Sequence, residues 1–266
     1  MRFLRYPGGK SRLMSCISQQ IALPIDFRGF YVEPFVGGGS VFMHVEPPRA
    51  RLSDLNSELI DLYRAIRDRP QDVWEDFKAF PFGREEYYRI RDESVDSRTL
   101  AYRAARTLYL NRTCFRGMWR HDAKGRFNVG YGGEDRRAAI DCDDLRGLSA
   151  LLKRALIRTC DFEEALFDAR DGDFVFLDPP YRPGSPEMLH EHYTNGRFTF
   201  ADQVRLAHCL ERLSRVGDVR FLMTNSSHHE VTSLYSDFRV VRMSVGTSAR
   251  VGHTTHETKE VLVSNY

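Results

Sequence analysis

The sequence predicts an α/β fold, one sheet with helices on both faces, split by a mainly helical, basic insert. Three observations predict it. Short apolar runs alternate with helical patterns over residues 1–68 and again over 155–266. The alternation stops over 69–154, where apolar residues recur at helical spacing instead. Finally, Phe174-Val175-Phe176-Leu177 is apolar at every position, as a strand covered on both sides of a parallel sheet requires.

In chain order, a helix precedes a first strand, Phe30-Tyr31-Val32, which ends at Glu33-Pro34-Phe35-Val36. Gly37-Gly38-Gly39-Ser40 makes the turn, because glycine adopts the positive φ that a tight strand-to-helix junction demands. Val41-Phe42-Met43 opens a helix. Ala50-Arg51-Leu52-Ser53 is the next strand, closed by Asp54 and Asn56, with Glu58 to Tyr63 helical behind it. Within the insert, Arg98 to Leu110 places Leu100, Ala104, Ala105, Leu108 and Tyr109 on one helical stripe. Lys124 to Gly133 is glycine-rich and predicts a β-hairpin. The third region holds strands at Phe174–Leu177 and Phe221–Thr224, and an antiparallel edge pair from Arg239–Met243 and Glu260–Val263. The two α/β stretches supply right-handed crossovers on either side of one sheet.

A chain of 266 residues, 42% hydrophobic and 29% charged, has enough apolar surface for a core of ordinary size plus a smaller module. The first ten residues lack the long apolar core of a secretory signal. No stretch approaches the ~18 uncharged apolar residues of a membrane span. The expected location is therefore the cytoplasm. Five cysteines stand singly (Cys16, Cys114, Cys142, Cys160, Cys209), without zinc-ligand spacing, and read as packed free thiols. His253 and His256 lie in a polar stretch with no cysteine or acid cluster beside them, so no metal is expected.

The net charge of +2 hides a local asymmetry. From Arg98 to Arg126 there are eight basic residues against the single acid Asp122, interleaved with Tyr102, Tyr109, Phe115 and Trp119. Such a stretch suits a phosphate-contacting surface. The plainer account, a solvated helix face in an arginine-rich chain, fits the composition equally well.

Three constellations carry chemistry. The glycine turn after Glu33 lets a ligand approach the backbone, although many nucleotide-binding folds share such a turn. Asp54, at the end of the next strand, is placed to bind the ribose hydroxyls of an adenosine-containing cofactor, and equally to cap a helix. The third, Asp178-Pro179-Pro180-Tyr181, is far more specific. Two prolines fix the backbone at the carboxyl end of a buried strand, where α/β folds bind ligands. The Asp178 carboxylate and the Pro179 carbonyl can both accept from one –NH2 group. Two acceptors on one amine draw its lone pair out of conjugation and aim it at an electrophile such as a sulfonium methyl. Tyr181 offers a face for stacking a base.

These segments, together with Tyr6-Pro7-Gly8-Gly9-Lys10 and Tyr109-Leu110-Asn111-Arg112, occur in the order seen in the DNA adenine methylase (Dam) family, which the chain resembles from residue 3 to its C-terminus. The resemblance implies a Rossmann-like methyltransferase sheet that uses S-adenosylmethionine to methylate the N6 amine of a flipped-out adenine in double-stranded DNA. It implies cofactor contacts at Tyr6, Lys10, Glu33, Phe35, Gly37, Gly39, Asp54 and Asp178, with Asp178, Pro179, Pro180 and Tyr181 as the catalytic segment. Residues 69–154 would be the target-recognition domain, and 1–68 with 155–266 the catalytic one. DNA contacts are expected from Asn111, Arg112, Arg116, Arg120, Lys124 and Arg126. A restriction endonuclease encoded nearby is a possible partner by the same resemblance, and the protein would sit on the nucleoid when bound to DNA.

The chain departs from relatives that read GATC. Arg116 stands where they usually carry Asn, and Gly130-Tyr131-Gly132 where they carry Pro-Phe-Gly, so GATC recognition is not implied. No proline among the eleven precedes a cysteine, which argues against a cytosine-C5 nucleophile. Cytosine N4, an RNA amine, or a catalytically silent DNA-binding module remain the alternatives at the level of sequence.

Overall fold

The computed structural model describes residues 3–5, 10, 13–21, 28–122, 124–180, 198–246 and 255–266, with backbone alone at 244–246 and 255–259. Tyr6, Tyr181, His253 and the side chain of His256 lie outside the described residues. The elements are α1 (Met14–Gln20), β1 (Tyr31–Glu33), α2 (Ser40–Val45), β2 (Ala50–Asp54), α3 (Ser57–Asp68), α4 (Pro70–Ala79), α5 (Arg84–Asp92), α6 (Leu100–Thr113), α7 (Cys142–Leu152), β3 (Ala155–Thr159), α8 (Phe162–Phe167), β4 (Phe174–Leu177), α9 (Phe200–Leu213), β5 (Arg220–Ser226), α10 (His229–Thr232), β6 (Arg239–Gly246) and β7 (Thr255–Ser264).

The strands form one mixed seven-stranded sheet in the order β3-β2-β1-β4-β5-β7-β6. The first five in that order run parallel, while β7 is antiparallel to both β5 and β6. This is the α/β arrangement expected from the alternating pattern, and the Rossmann-like sheet that the resemblance implies. The predicted edge pair is present as β6 and β7, and β7 also reaches β5. The chain builds outward from β1 to β2 and β3, then returns to lay β4 on the other side of β1. The sheet order therefore reverses between β1 and β4, which opens a crevice at their carboxyl ends.

Period-two alternation sends successive strand residues to opposite faces. Tyr31, Leu52, Phe174, Phe176 and Leu222 join one apolar cluster, and Val32, Val175, Leu177, Phe221 and Met223 the other. The first cluster continues without a break into the insert through Val73, Phe77, Tyr87, Leu108, Tyr109 and Leu145. Helix α3 packs on both α6 and α7, so the insert rests directly on the sheet's helical layer.

Local sequence explains the helix starts. The Asn56 side chain accepts from Leu59 N, Thr99 accepts from Tyr102 N, and Thr199 and Asp202 form a reciprocal capping box on α9. Two expectations require correction. Strand β3 was not foreseen, because its apolar run is only Ala155-Leu156-Ile157, bounded by Arg154 and Arg158. The hairpin is displaced from 124–133: Asp122 N donates to Arg126 O and Asn128 N to Arg120 O, which puts Lys124 and Gly125 at the tip. The Asp122 carboxylate forces this register by accepting from the backbone N–H groups of Lys124 and Arg126.

Candidate active site

Glu33, Asp54 and Asp178 all sit at the carboxyl ends of parallel strands around the reversal point. Glu33 is buried, its carboxylate accepting from Tyr31 Oη at 2.7 Å. A backbone N–H of α2, from Phe42, also points at it. Burial pushes the Glu33 carboxyl up to about 8, and the nearby Asp178 and Asp54 charges add to the rise.

The glycine turn takes the strained geometry the sequence suggests, with φ of 44° at Gly37 and 64° at Gly39. Asp54 lies across it, accepting from Gly37 N and Asn56 N at 3.0 Å each, and burial raises its carboxyl. Tyr63 Oη donates to the Gly37 carbonyl at 2.7 Å, and a Cβ on Gly39 would lie 2.9 Å from that same oxygen. Gly39 thus serves close packing against α3. Phe35 leans the other way, stacked on Phe162 at 5.4 Å and edge-on to Phe198 at 5.9 Å.

Lys10 is 3% exposed and places Nζ 2.9 Å from Asp178 Oδ1. Thr224 Oγ1, from the neighbouring strand β5, donates to the same oxygen at 2.7 Å. Pro179 is buried, and the Pro180 carbonyl accepts from Gln203 Nε2 at 3.2 Å. Lys10, Glu33, Gly37, Asp54 and Asp178 therefore gather at the strand ends, where Glu260 of β7 also lies near Lys10 and Asp178, so that four acids stand around one lysine. Thr224 and Gln203 were missed by sequence reasoning. The available signal was the polar Thr224-Asn225 pair ending an apolar strand that neighbours β4.

The expected DNA contacts separate into two groups. Asn111 and Arg112 are buried at 0% and 4% exposure, which removes them from any DNA-facing surface. Asn111 instead brackets the Arg5 backbone, accepting from its N–H at 2.9 Å and donating to its carbonyl at 2.7 Å. Arg112 donates to the Phe3 carbonyl. Helix α6 thereby holds the strand of chain that leads to Lys10. Arg116, Lys124 and Arg126 are exposed. Arg116 adopts φ 54° over the Phe115 ring, Arg126 pairs with Asp122 at 2.8 Å, and half-buried Arg120 donates to Asn128 Oδ1 at 2.9 Å.

The chain is similar to known proteins over most of its length. Residues 6–248 match the family described as D12 class N6 adenine-specific DNA methyltransferase. The chain is 34% identical to the type II methyltransferase M1.LlaDCHI of Lactococcus lactis subsp. cremoris, over 99% of its own length and 95% of the relative's. It is 33% identical to a DNA adenine methylase of Serratia marcescens, covering 84% of this chain and 82% of that one. Among solved structures, it overlaps a precorrin 8W decarboxylase of Methanobacterium thermoautotrophicum over 97% and 91% of the two chains, at 13% identity and a TM-score of 0.41.

Proposed function

This chain belongs to the D12 class of N6 adenine-specific DNA methyltransferases, and from that premise we propose how its own residues carry out the methylation of adenine in DNA. The observation that carries the reading is the position of Asp178 at the sheet's reversal point, paired with buried Lys10, bonded by Thr224 and followed by two prolines.

The donor set fits S-adenosylmethionine. Glu33, raised to about 8, is protonated at neutral pH, but Asp54 and Asp178 still outnumber Lys10, so the crevice favours a cationic ligand. Asp54 offers carboxylate oxygens to a ribose diol beside the glycine turn, and the buried Asn56 Nδ2 close by has no hydrogen-bond partner among the described residues. Lys10, Glu33, Phe35, Gly37, Gly39, Asp54 and Asp178 are the residues we assign to cofactor binding, with Tyr6 added by resemblance. When bound, S-adenosylmethionine supplies an electrophilic methyl group.

The Asp178 carboxylate and the Pro179 carbonyl accept the two hydrogens of the adenine N6 amine and turn its lone pair outward. Tyr181 stacks on the flipped base, and Pro180 keeps the segment rigid. No covalent bond forms between enzyme and base. The insert, 69–154, acts as the target-recognition domain, with Arg116, Arg120, Lys124 and Arg126 toward DNA. Asn111 and Arg112 support it from within. The type II name of the Lactococcus relative suggests for this chain a restriction endonuclease partner encoded nearby. Among the described residues no helix is long and apolar enough to cross a membrane, and we place the protein in the cytoplasm, on the nucleoid when bound to DNA.

Asp178→Ala tests the assignment by single-turnover methyl transfer, with nucleoside mass spectrometry of the product. The rate should fall at least about a hundredfold, the loss seen when one preorganised polar partner of a reacting group is deleted, while DNA affinity holds. Parental turnover in that variant would end the assignment.

A further inference from the structure

Beneath the Asp178-Pro179-Pro180 turn lies a polar cluster inside the protein. Gln203 of α9, Asn225 of β5 and Tyr235, in the 3-10 turn after α10, each have 0% exposure. Packing alone would be served by apolar residues, and buried amides are costly unless every group is bonded.

The bonds fix one orientation for each amide. Asn225 Oδ1 accepts from Ser226 N at 2.8 Å, which turns Asn225 Nδ2 toward Gln203. Gln203 Oε1 then accepts from Asn225 Nδ2 at 3.0 Å and from Tyr235 Oη at 3.2 Å. Flipping the Gln203 amide would set N–H against N–H, so Nε2 is held toward the Pro180 carbonyl at 3.2 Å.

That last bond acts on the turn. The Pro180 ring already fixes φ, and anchoring its carbonyl fixes ψ as well. Together they set the plane of the Pro179–Pro180 peptide, which carries the Pro179 carbonyl. On β5, Thr224 takes Asp178 Oδ1 at 2.7 Å, and the next residue, Asn225, points to the opposite face of the strand and backs Gln203. Adjacent residues of one strand thus grip the turn on its two sides.

We infer that Gln203 is a positioning residue for methyl transfer: locked by Asn225 and Tyr235, it holds the Pro180 carbonyl and so aims the Pro179 carbonyl at the target amine. The inference rests on the reading of Asp178 and Pro179 as the amine's two acceptors.

The test compares Gln203→Leu and Gln203→Glu with Asp178→Ala, measuring kcat, KM for DNA and for S-adenosylmethionine, and the urea midpoint. Folded Gln203→Leu should lose about tenfold to a hundredfold in kcat, the effect of small misplacement at a reacting centre, with each KM within about twofold of the parent's. Gln203→Glu adds a readout that mere structural support would not move. Its protonated carboxyl can donate to the Pro180 carbonyl, whereas its ionised form cannot. The ratio of its kcat to the parent's should therefore fall between about pH 6 and about pH 9, while the Leu variant's ratio stays level. A folded Gln203→Leu with parental kcat, or a Gln203→Glu as slow at about pH 6 as at about pH 9, overturns the inference. If Gln203→Leu does not fold, the Glu variant decides alone. Parental rates in both Gln203 variants beside an inactive Asp178→Ala would sink only the clamp. Parental turnover in Asp178→Ala would sink the acceptor reading and the clamp with it.

Discussion

Glu33 makes stability fall as pH rises, and the size of the fall can be worked from its surroundings. Its carboxyl is raised from 4.5 to about 8, first by burial and then by the nearby Asp178 and Asp54 charges, against the hydrogen bonds from Tyr31 and Phe42 that favour ionisation. A group whose folded-state value lies above its unfolded value stabilises fully below the unfolded value and loses that stabilisation as pH climbs toward the folded one. The relevant window therefore runs from 4.5 to about 8. At about 1.4 kcal/mol per unit, less at the two ends of the window where the slope is partial, the protein should lose roughly 3.5 kcal/mol between about pH 5 and about pH 8 through this group alone. Asp54 is raised by burial too and adds a slope of the same sign, so the parent's total is not diagnostic. The comparison with Glu33→Gln is. Gln carries no titratable proton, and its cost of replacing a protonated carboxyl that accepts from two donors is a constant offset. Urea unfolding of both proteins across this range should show the parent's free energy dropping against the variant's by the stated amount. Two curves that stay parallel would refute the argument, because they would mean that Glu33 ionises in the folded protein as easily as in the unfolded chain.

The two groups of insert cations should respond oppositely to substitution. Lys124→Ala should lower the salt dependence of DNA binding by about one counterion and leave stability within about 0.5 kcal/mol. Arg112→Leu should cost about 1–3 kcal/mol by stranding the buried Phe3 carbonyl, with the salt slope unchanged; a lowered slope would put Arg112 back on the DNA. Gly39→Ala imposes a side chain at φ 64° with its Cβ 2.9 Å from Tyr63 Oη, and should lower stability by about 1–2 kcal/mol together with affinity for S-adenosylmethionine. An unchanged thermal midpoint in that variant would show that the turn does not depend on the contact.

The Asp178-Pro179-Pro180 turn was legible in the sequence because its constraint is local. Two prolines after an apolar run fix a backbone wherever that run lies, and an acid before them must sit at a strand end. The glycine turn and Asp54 were legible for the same reason, and their hydrogen bond, Gly37 N to Asp54 Oδ2, joins neighbouring parallel strands as the alternation implied. Residues without such local constraint were misread or missed. Asn111 and Arg112 were expected at the DNA by resemblance, yet α6 turns them inward, where backbone carbonyls and N–H groups need partners.

By itself the sequence determined the fold class, the strand-end acids and the rigid Asp178-Pro179-Pro180 turn, since periodicity and proline geometry act over a few residues. The sheet order, and with it the crevice between β1 and β4, was decided only by the tertiary structure. So were the meeting of Lys10 with Asp178 and the support from Thr224, Gln203 and Asn225. A side chain's own pattern says which face of its element it occupies. What lies across from it depends on packing between elements far apart in the chain.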